Sequence, residues 1–296
     1  MFRSGFVSII GRPNVGKSTF VNASIGSKAT IISDKPQTTR NLIRAVLTTD
    51  DYQVIFVDTP GIHKPKHRLG SFMVQSTRNT IRDADVVLFM GDAREYPGKG
   101  DQYILDLIRD IDTPALLALN KKDLVSPEVR DKHLLAYGEL HPFHGAWPVS
   151  ALYAENVEDV VEGIVEHLPE GPQYYPPEML TDNPEYFTVS ELIREKVLEL
   201  TREEVPFSVA VEIEEMSLRE NRDLMDVRAV IYVERKSQKG ILIGKGGKML
   251  REVGVRARPE IEEFLDCQVY LDLWIKVSPD WRNRQRVLRS LGYRDD

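Results

Sequence analysis

The chain has 296 residues, more than the ~100–150 of one ordinary core, so two domains are expected. Hydrophobic residues at 42% and charged residues at 29% match a soluble globular protein, and no apolar run reaches the ~18–20 residues that cross a bilayer. A single cysteine, Cys267, excludes an intramolecular disulfide, and the N-terminus lacks a signal-peptide pattern, so a cytoplasmic setting is expected; the net charge of −7 argues against wholesale polyanion binding.

Residues 6–10 read as a short buried strand closing at Gly11, and a helix starts near Lys17. Between and just beyond them Gly11-Arg12-Pro13-Asn14-Val15-Gly16-Lys17-Ser18-Thr19 fits G-x-x-x-x-G-K-[ST] in a strand–loop–helix setting. Glycines let backbone N–H groups curl around a β-phosphate at a helix N-terminus. Lys17 is then placed to bridge β- and γ-phosphate oxygens, and the Ser18 hydroxyl to ligate Mg²⁺. Thr38 and Thr39 follow in a polar loop; one of their hydroxyls completes the Mg²⁺ shell, with Thr39 favoured. Residues 41–49 read as an antiparallel edge strand that turns at Asp50-Asp51 into a buried strand, 52–57. Asp58-Thr59-Pro60-Gly61 ends that strand, with Asp58 placed to hold Mg²⁺ through water and the Gly61 N–H to point at a γ-phosphate. His63 and His67, among Lys64, Lys66 and Arg68, read as a solvated loop rather than as general bases.

Apolar runs at 85–90, 115–119 and 146–149 alternate with helical stretches near 69–81, 99–109, 127–140 and 157–168. That order predicts a mostly parallel sheet covered on both faces. Asn120-Lys121-Lys122-Asp123 sits at the C-terminal end of 115–119, where such sheets present ligands. A carboxylate at Asp123 accepts from N1–H and the 2-amino group of guanine, whereas adenine leaves it unpaired, a mismatch of several kcal/mol. Ser150-Ala151-Leu152 supplies the small loop expected over the base.

The stretch 168–184 holds Pro169, Pro172, Pro176, Pro177 and Pro184 and reads as a linker. The expected division is a nucleotide-binding domain, 1–170, a linker, 171–184, and a second domain, 185–296. In the second domain a helix at 185–201 precedes strands at 207–216 and 223–234, a Gly-rich turn, a helix at 246–264 and a strand at 268–277. This predicts an α+β domain on an antiparallel three-stranded sheet. Ile243-Gly244-Lys245-Gly246-Gly247-Lys248 carries G-x-x-G, and from Arg235 to Arg258 eight basic residues face one acidic residue, Glu252. Glycines there admit a sugar-phosphate backbone closely, while Arg235, Lys239, Lys245, Lys248 and Arg251 neutralise phosphates. The run Trp281–Tyr293, with Arg282, Arg284, Arg286 and Arg289, either extends that surface or is a solvated helix face.

The first half resembles the translation-factor-like small GTPases. It departs from Ras-type enzymes at Ile62, where they place a water-orienting Gln, so turnover is expected to be slow and to draw on Mg²⁺, Lys17, Thr39, the Gly61 backbone, a monovalent cation or a partner. By similarity to cation-dependent relatives, Asn14 is the residue expected to coordinate K⁺. A P-loop GTPase joined to a type II KH module (α-β-β-α-α-β) resembles the Era family of bacterial ribosome-assembly GTPases. Gln37-Thr38-Thr39-Arg40, Leu273–Val277 and Leu288–Tyr293 support the resemblance, which covers nearly the whole chain. It implies GTP and GDP as ligands, small-subunit rRNA near its 3′ end and the small ribosomal subunit as partners, and peripheral contact with the inner face of the cell membrane. DNA is not an expected partner. A signalling switch with a protein or membrane effector, or an RNA-binding module merely stabilised by nucleotide, are the competing readings.

Overall fold

A computed structural model of the chain describes residues 1–62, 65, 67–220 and 223–293. They fall into two compact units, one drawn from Met1–Ile32, Thr39–Lys66 and Gly70–Asp182, the other from Ser33–Thr38, His67–Leu69 and Asn183–Asp296.

The first part of the chain runs β1 (Arg3–Gly11), α1 (Lys17–Ile25), β2 (Ile43–Thr48), β3 (Tyr52–Asp58), α2 (Arg68–Asp83), β4 (Val86–Asp92), α3 (Lys99–Asp106), β5 (Ala115–Asn120), α4 (Pro127–Leu140), β6 (Gly145–Pro148) and α5 (Val157–His167). The strands form one sheet in the order β2-β3-β1-β4-β5-β6, and only β2 runs antiparallel to its neighbour. Side chains alternate across it. Val86, Leu88 and Met90 join Phe20 and Val160 in one apolar layer, while Val87 and Phe89 join Ile81, Ile104 and Tyr137 in the other. Burial on both faces explains why these strands read as unbroken apolar runs. Register then brings the functional strand ends to one edge: Ile9 lies opposite Asp58, Gly11 opposite Met90, and Asp92 opposite Asn120.

The proline-rich stretch has no helix of its own, yet it is tied down. The buried Gln53 amide accepts from the backbone N–H groups of Tyr174 (2.8 Å) and Tyr175 (3.0 Å) and donates to the Tyr175 carbonyl (2.9 Å). Ser4 donates to the Pro172 carbonyl at 2.6 Å, and the Val46 N–H donates to the Leu180 carbonyl at 2.9 Å. Backbone groups freed by proline and turn residues thus find partners on β2, β3 and β1.

The second unit contains α6 (Glu185–Leu200), α7 (Val205–Ser208), β7 (Ala210–Leu218), β8 (Leu224–Val233), α8 (Lys236–Ile243), α9 (Lys248–Leu265), β9 (Gln268–Val277) and α10 (Gln285–Ser290). Its three strands are ordered β7-β8-β9. The expectation of an antiparallel sheet is corrected here: β7 pairs antiparallel with β8, but β9 pairs parallel with it. The reason is the connection. Two helices carry the chain back along the sheet before β9 begins, and such a crossover returns a strand in the same direction. Residues 205–208 are helical rather than strand, so β7 starts at Ala210. The C-terminal segment is anchored by fully buried Trp281, whose Nε1 donates to the Ser208 carbonyl at 2.8 Å.

Candidate functional site

After β1 the chain turns through Asn14 (φ 63) and Gly16 (φ 103) before α1 begins. Glycine at position 16 is required twice over, since a Cβ there would sit 2.2 Å from Asn120 Nδ2, besides needing a left-handed backbone. Lys17 folds back so that Nζ donates to the carbonyls of Gly11 (3.3 Å) and Arg12 (3.1 Å). Burial lowers its pKa to about 8, against the pull of Asp58 in the other direction. Burial likewise raises Asp58, opposed by Lys17, Ser18 and Thr39. Both buried charges therefore lack full compensation, which a polyanion and a metal cation bring together.

Ser18 Oγ donates to Asp58 Oδ2 at 2.6 Å and lies 2.9 Å from Thr39 Oγ1, which donates to the same Oδ2 at 3.1 Å. The other oxygen, Asp58 Oδ1, is buried and has no hydrogen-bond partner among the described residues. An oxygen-only donor set with an unsatisfied buried carboxylate oxygen fits Mg²⁺. Bound there, Mg²⁺ supplies positive charge against the charge that builds on β- and γ-phosphate oxygens during phosphoryl transfer. Thr38 is otherwise engaged, its hydroxyl donating to the Lys35 carbonyl at 2.7 Å, so Thr39 is the residue that joins Ser18 and Asp58.

Thr59 Oγ1 donates to the Ile9 carbonyl at 2.6 Å and fixes the loop after β3. Gly61 lies against Pro13; a Cβ added to it would meet Pro13 Cα at 2.7 Å. Ile62 is 3% exposed within the apolar layer of Ile10, Ile81 and Phe89, and its N–H donates to the Gly11 carbonyl at 3.3 Å. It is a packing residue, which leaves no water-orienting side chain at that position. His63, Lys64 and Lys66 lie outside the described residues.

Asn120 joins three loops. Its Nδ2 donates to the Val15 carbonyl at 2.8 Å, and its Oδ1 accepts the Ala151 N–H at 2.9 Å. Lys121 adopts φ 66, and its ammonium donates to the Asn14 carbonyl and to Asp92 Oδ2, each at 2.7 Å. Asp123 is exposed in the turn Lys122–Leu124. Ser150 is fully buried and Ala151 nearly so, while Leu152 is 72% exposed at the rim.

In the second unit, α8 ends at Ile243 and α9 begins at Lys248, with Gly244 (φ 69), Gly246 (φ 61) and Gly247 (φ 76) between them. A Cβ on Gly244 would strike Met249 at 2.8 Å, whereas Gly246 and Gly247 face open space. Arg235, Lys245, Lys248 and Arg251 are exposed, Lys239 and Ile243 half-buried. Exposed Ile241 and Val255 add apolar surface on α8 and α9. Such a loop can take a sugar-phosphate backbone closely, with bases laid on the apolar surface.

Two residues escaped the sequence reading. Asp92 ends β4 and Asp101 sits in the first turn of α3, and both are buried. An aspartate at a strand end or in a first helical turn looks like ordinary turn or capping chemistry, so nothing in the sequence marks them.

The turn before α1, the Ser18–Thr39–Asp58 cluster and the Asn120–Asp123 turn at one sheet edge are the arrangement of a P-loop GTPase, here joined to a KH-type module. Residues 6–121 match the family described as 50S ribosome-binding GTPase, and residues 204–282 match the KH domain. The fold matches a crystal structure of Era in complex with MgGDPNP and nucleotides 1506–1542 of 16S ribosomal RNA, at 40% identity, TM-score 0.96 and 99% coverage of each chain. It equally matches a point variant of Aquifex aeolicus Era bound to GDP and AlF4⁻, at 40% identity, TM-score 0.95 and 99% coverage of each chain. The chain belongs to the Era family and is a GTPase.

Proposed function

We propose that this chain is a GTP-gated RNA-binding enzyme of small-subunit assembly: it binds GTP with Mg²⁺, holds single-stranded rRNA near the 3′ end of the small-subunit RNA, and hydrolyses GTP slowly to time release. The observation that carries the reading is the pairing, on one chain, of the nucleotide edge of the first sheet with the exposed Gly244–Gly247 loop, in a protein 40% identical over 99% of its length to an Era crystallised with both ligands. Residues 11–19 hold the phosphates, Ser18, Thr39 and Asp58 hold Mg²⁺, Asn120, Lys121, Asp123 and 150–152 hold the base, and 243–248 with Arg235, Lys239 and Arg251 hold RNA. The working domains are 1–170 and 185–296, joined by 171–184.

Lys17 keeps its proton between β- and γ-phosphate oxygens, and Gly61, whose Cα packs against Pro13, orients the γ-phosphate through its backbone. With Ile62 packed in the core, Asn14 is assigned to hold K⁺ at the phosphates, and an Asn14→Ala variant should lose any preference for K⁺ over Na⁺ in turnover. We further propose a cytoplasmic protein in peripheral contact with the inner membrane face, a reading drawn from the family and tested by co-sedimentation with anionic vesicles. Among the described residues no helix is long and apolar enough to cross a membrane.

Fluorescence anisotropy with a labelled 3′-terminal segment of small-subunit rRNA tests the RNA assignment. Binding at least tenfold tighter than to a scrambled RNA or to duplex DNA is expected. Equal affinity for all three would refute it.

A further inference from the structure

Two carboxylates outside the nucleotide-binding motifs bracket the phosphate loop from behind. They lie at the two ends of the connection from β4 to α3: Asp92, 4% exposed, and Asp101, fully buried. Asp101 accepts from the Gly98 N–H at 2.9 Å, the Tyr137 hydroxyl at 3.1 Å and Arg12 Nε at 3.0 Å, and Glu95 takes the outer arm of Arg12 at 2.8 Å. The Arg12 carbonyl is one of the two that receive Lys17 Nζ. Asp92 is gripped by Arg94 at 3.0 and 2.7 Å, and it accepts from Lys121 Nζ at 2.7 Å. The same ammonium holds the Asn14 carbonyl.

Arg12 and Asn14 flank Pro13, the residue on which Gly61 rests. Asn14 and Lys121 both hold left-handed backbones, which non-glycine residues keep only where their surroundings over-determine them. Charge-assisted hydrogen bonds to buried carboxylates are the stiffest polar links available for that task. Asp92 carries two cations, Arg94 and Lys121, whereas Asp101 shares Arg12 with Glu95.

We propose that Asp92 and Asp101 are positioning residues for GTP binding. They form a two-point clamp that fixes Arg12 and, through Lys121, Asn14, and so sets the place of Lys17 and the seat of Gly61 before nucleotide arrives. The proposal rests on the reading that residues 11–19 hold the phosphates.

The test is release of fluorescently labelled GDP from the full chain in stopped flow. Asp92→Asn and Asp101→Asn should each speed release about tenfold or more, the order expected when a binding geometry slips by a fraction of an ångström. Arg12→Gln breaks the Asp101 link from the half-exposed side, so the clamp is tested even if the buried Asp101 variant fails to fold. Arg12→Gln should match Asp101→Asn, and the double variant should release no faster than either single, because both remove one link. A merely structural role predicts additive losses of stability with release unchanged. Wild-type release rates in Asp92→Asn and Arg12→Gln would overturn the clamp. A wild-type chain that bound no labelled GDP would overturn the phosphate-loop reading on which it stands.

Discussion

Asp123 is exposed at the turn after β5, free to reach two hydrogen-bond donors that guanine has and adenine lacks. Asp123→Asn exchanges one acceptor for a donor, which suits the 2-oxo group of xanthine. A competition titration should show preference moving from GTP to XTP by at least about 100-fold, in line with the discrimination that buried polar mismatches provide. Unchanged preference would refute the assignment. Asp92 gives a second prediction at this scale. Burial alone would raise its pKa, but hydrogen bonds from Arg94 and Lys121 outweigh that and pull it to about 2 from 3.8. A depressed carboxyl stabilises the fold above its ordinary pKa, and that contribution fades as pH falls toward 2. Nucleotide-free wild-type protein should therefore lose stability more steeply between pH 4 and 2 than Asp92→Asn does, as read by urea unfolding at each pH. The candidate residues that a sequence can nominate are those whose chemistry demands a fixed spacing: Gly16, Lys17 and Ser18, Asp58, Asn120 and Asp123. Asp92 and Asp101 were not legible, because what defines them is which strand end or helix turn lies next to the phosphate loop, and that is tertiary.

At the scale of elements, the first sheet was readable since its strands are buried on both faces and appear as apolar runs, and the polar stretch 41–49 announced an edge. The second sheet was half readable. Its strands are legible, but the direction in which β9 joins β8 is set by the helical crossover between them, α8 and α9, a tertiary return that the composition of the strands themselves does not state. The proline-rich stretch looked like free linker because composition cannot reveal that Gln53 waits for it on β3. Gln53→Ala removes hydrogen bonds made by a fully buried amide to Tyr174 and Tyr175. A loss of about 1–3 kcal/mol is expected, with faster hydrogen exchange at the amides of Tyr174 and Tyr175. Unchanged exchange there would show that the stretch is held by other contacts. In the α8–α9 loop, Gly246 and Gly247 need positive φ and face open space. Replacing both by Asp adds strain and negative charge where phosphate is to lie, so RNA affinity should fall at least tenfold with GTP turnover nearly unchanged. Retained affinity would remove the loop from the RNA site.

For the whole molecule, the proposed function requires GTP and RNA each to alter the other's affinity, and such coupling is reciprocal. On that proposal the γ-phosphate is the signal, read by Thr39 and Gly61 on separate loops. The central claim is therefore a nucleotide-dependent affinity for RNA. Equilibrium filter binding of the 3′-terminal rRNA segment to the full chain, with a non-hydrolysable GTP analogue, with GDP and with no nucleotide, measures it directly. Affinity at least about fivefold tighter with the GTP analogue than with GDP is expected, the lower range of typical allosteric coupling. Identical affinity in all three states would contradict it.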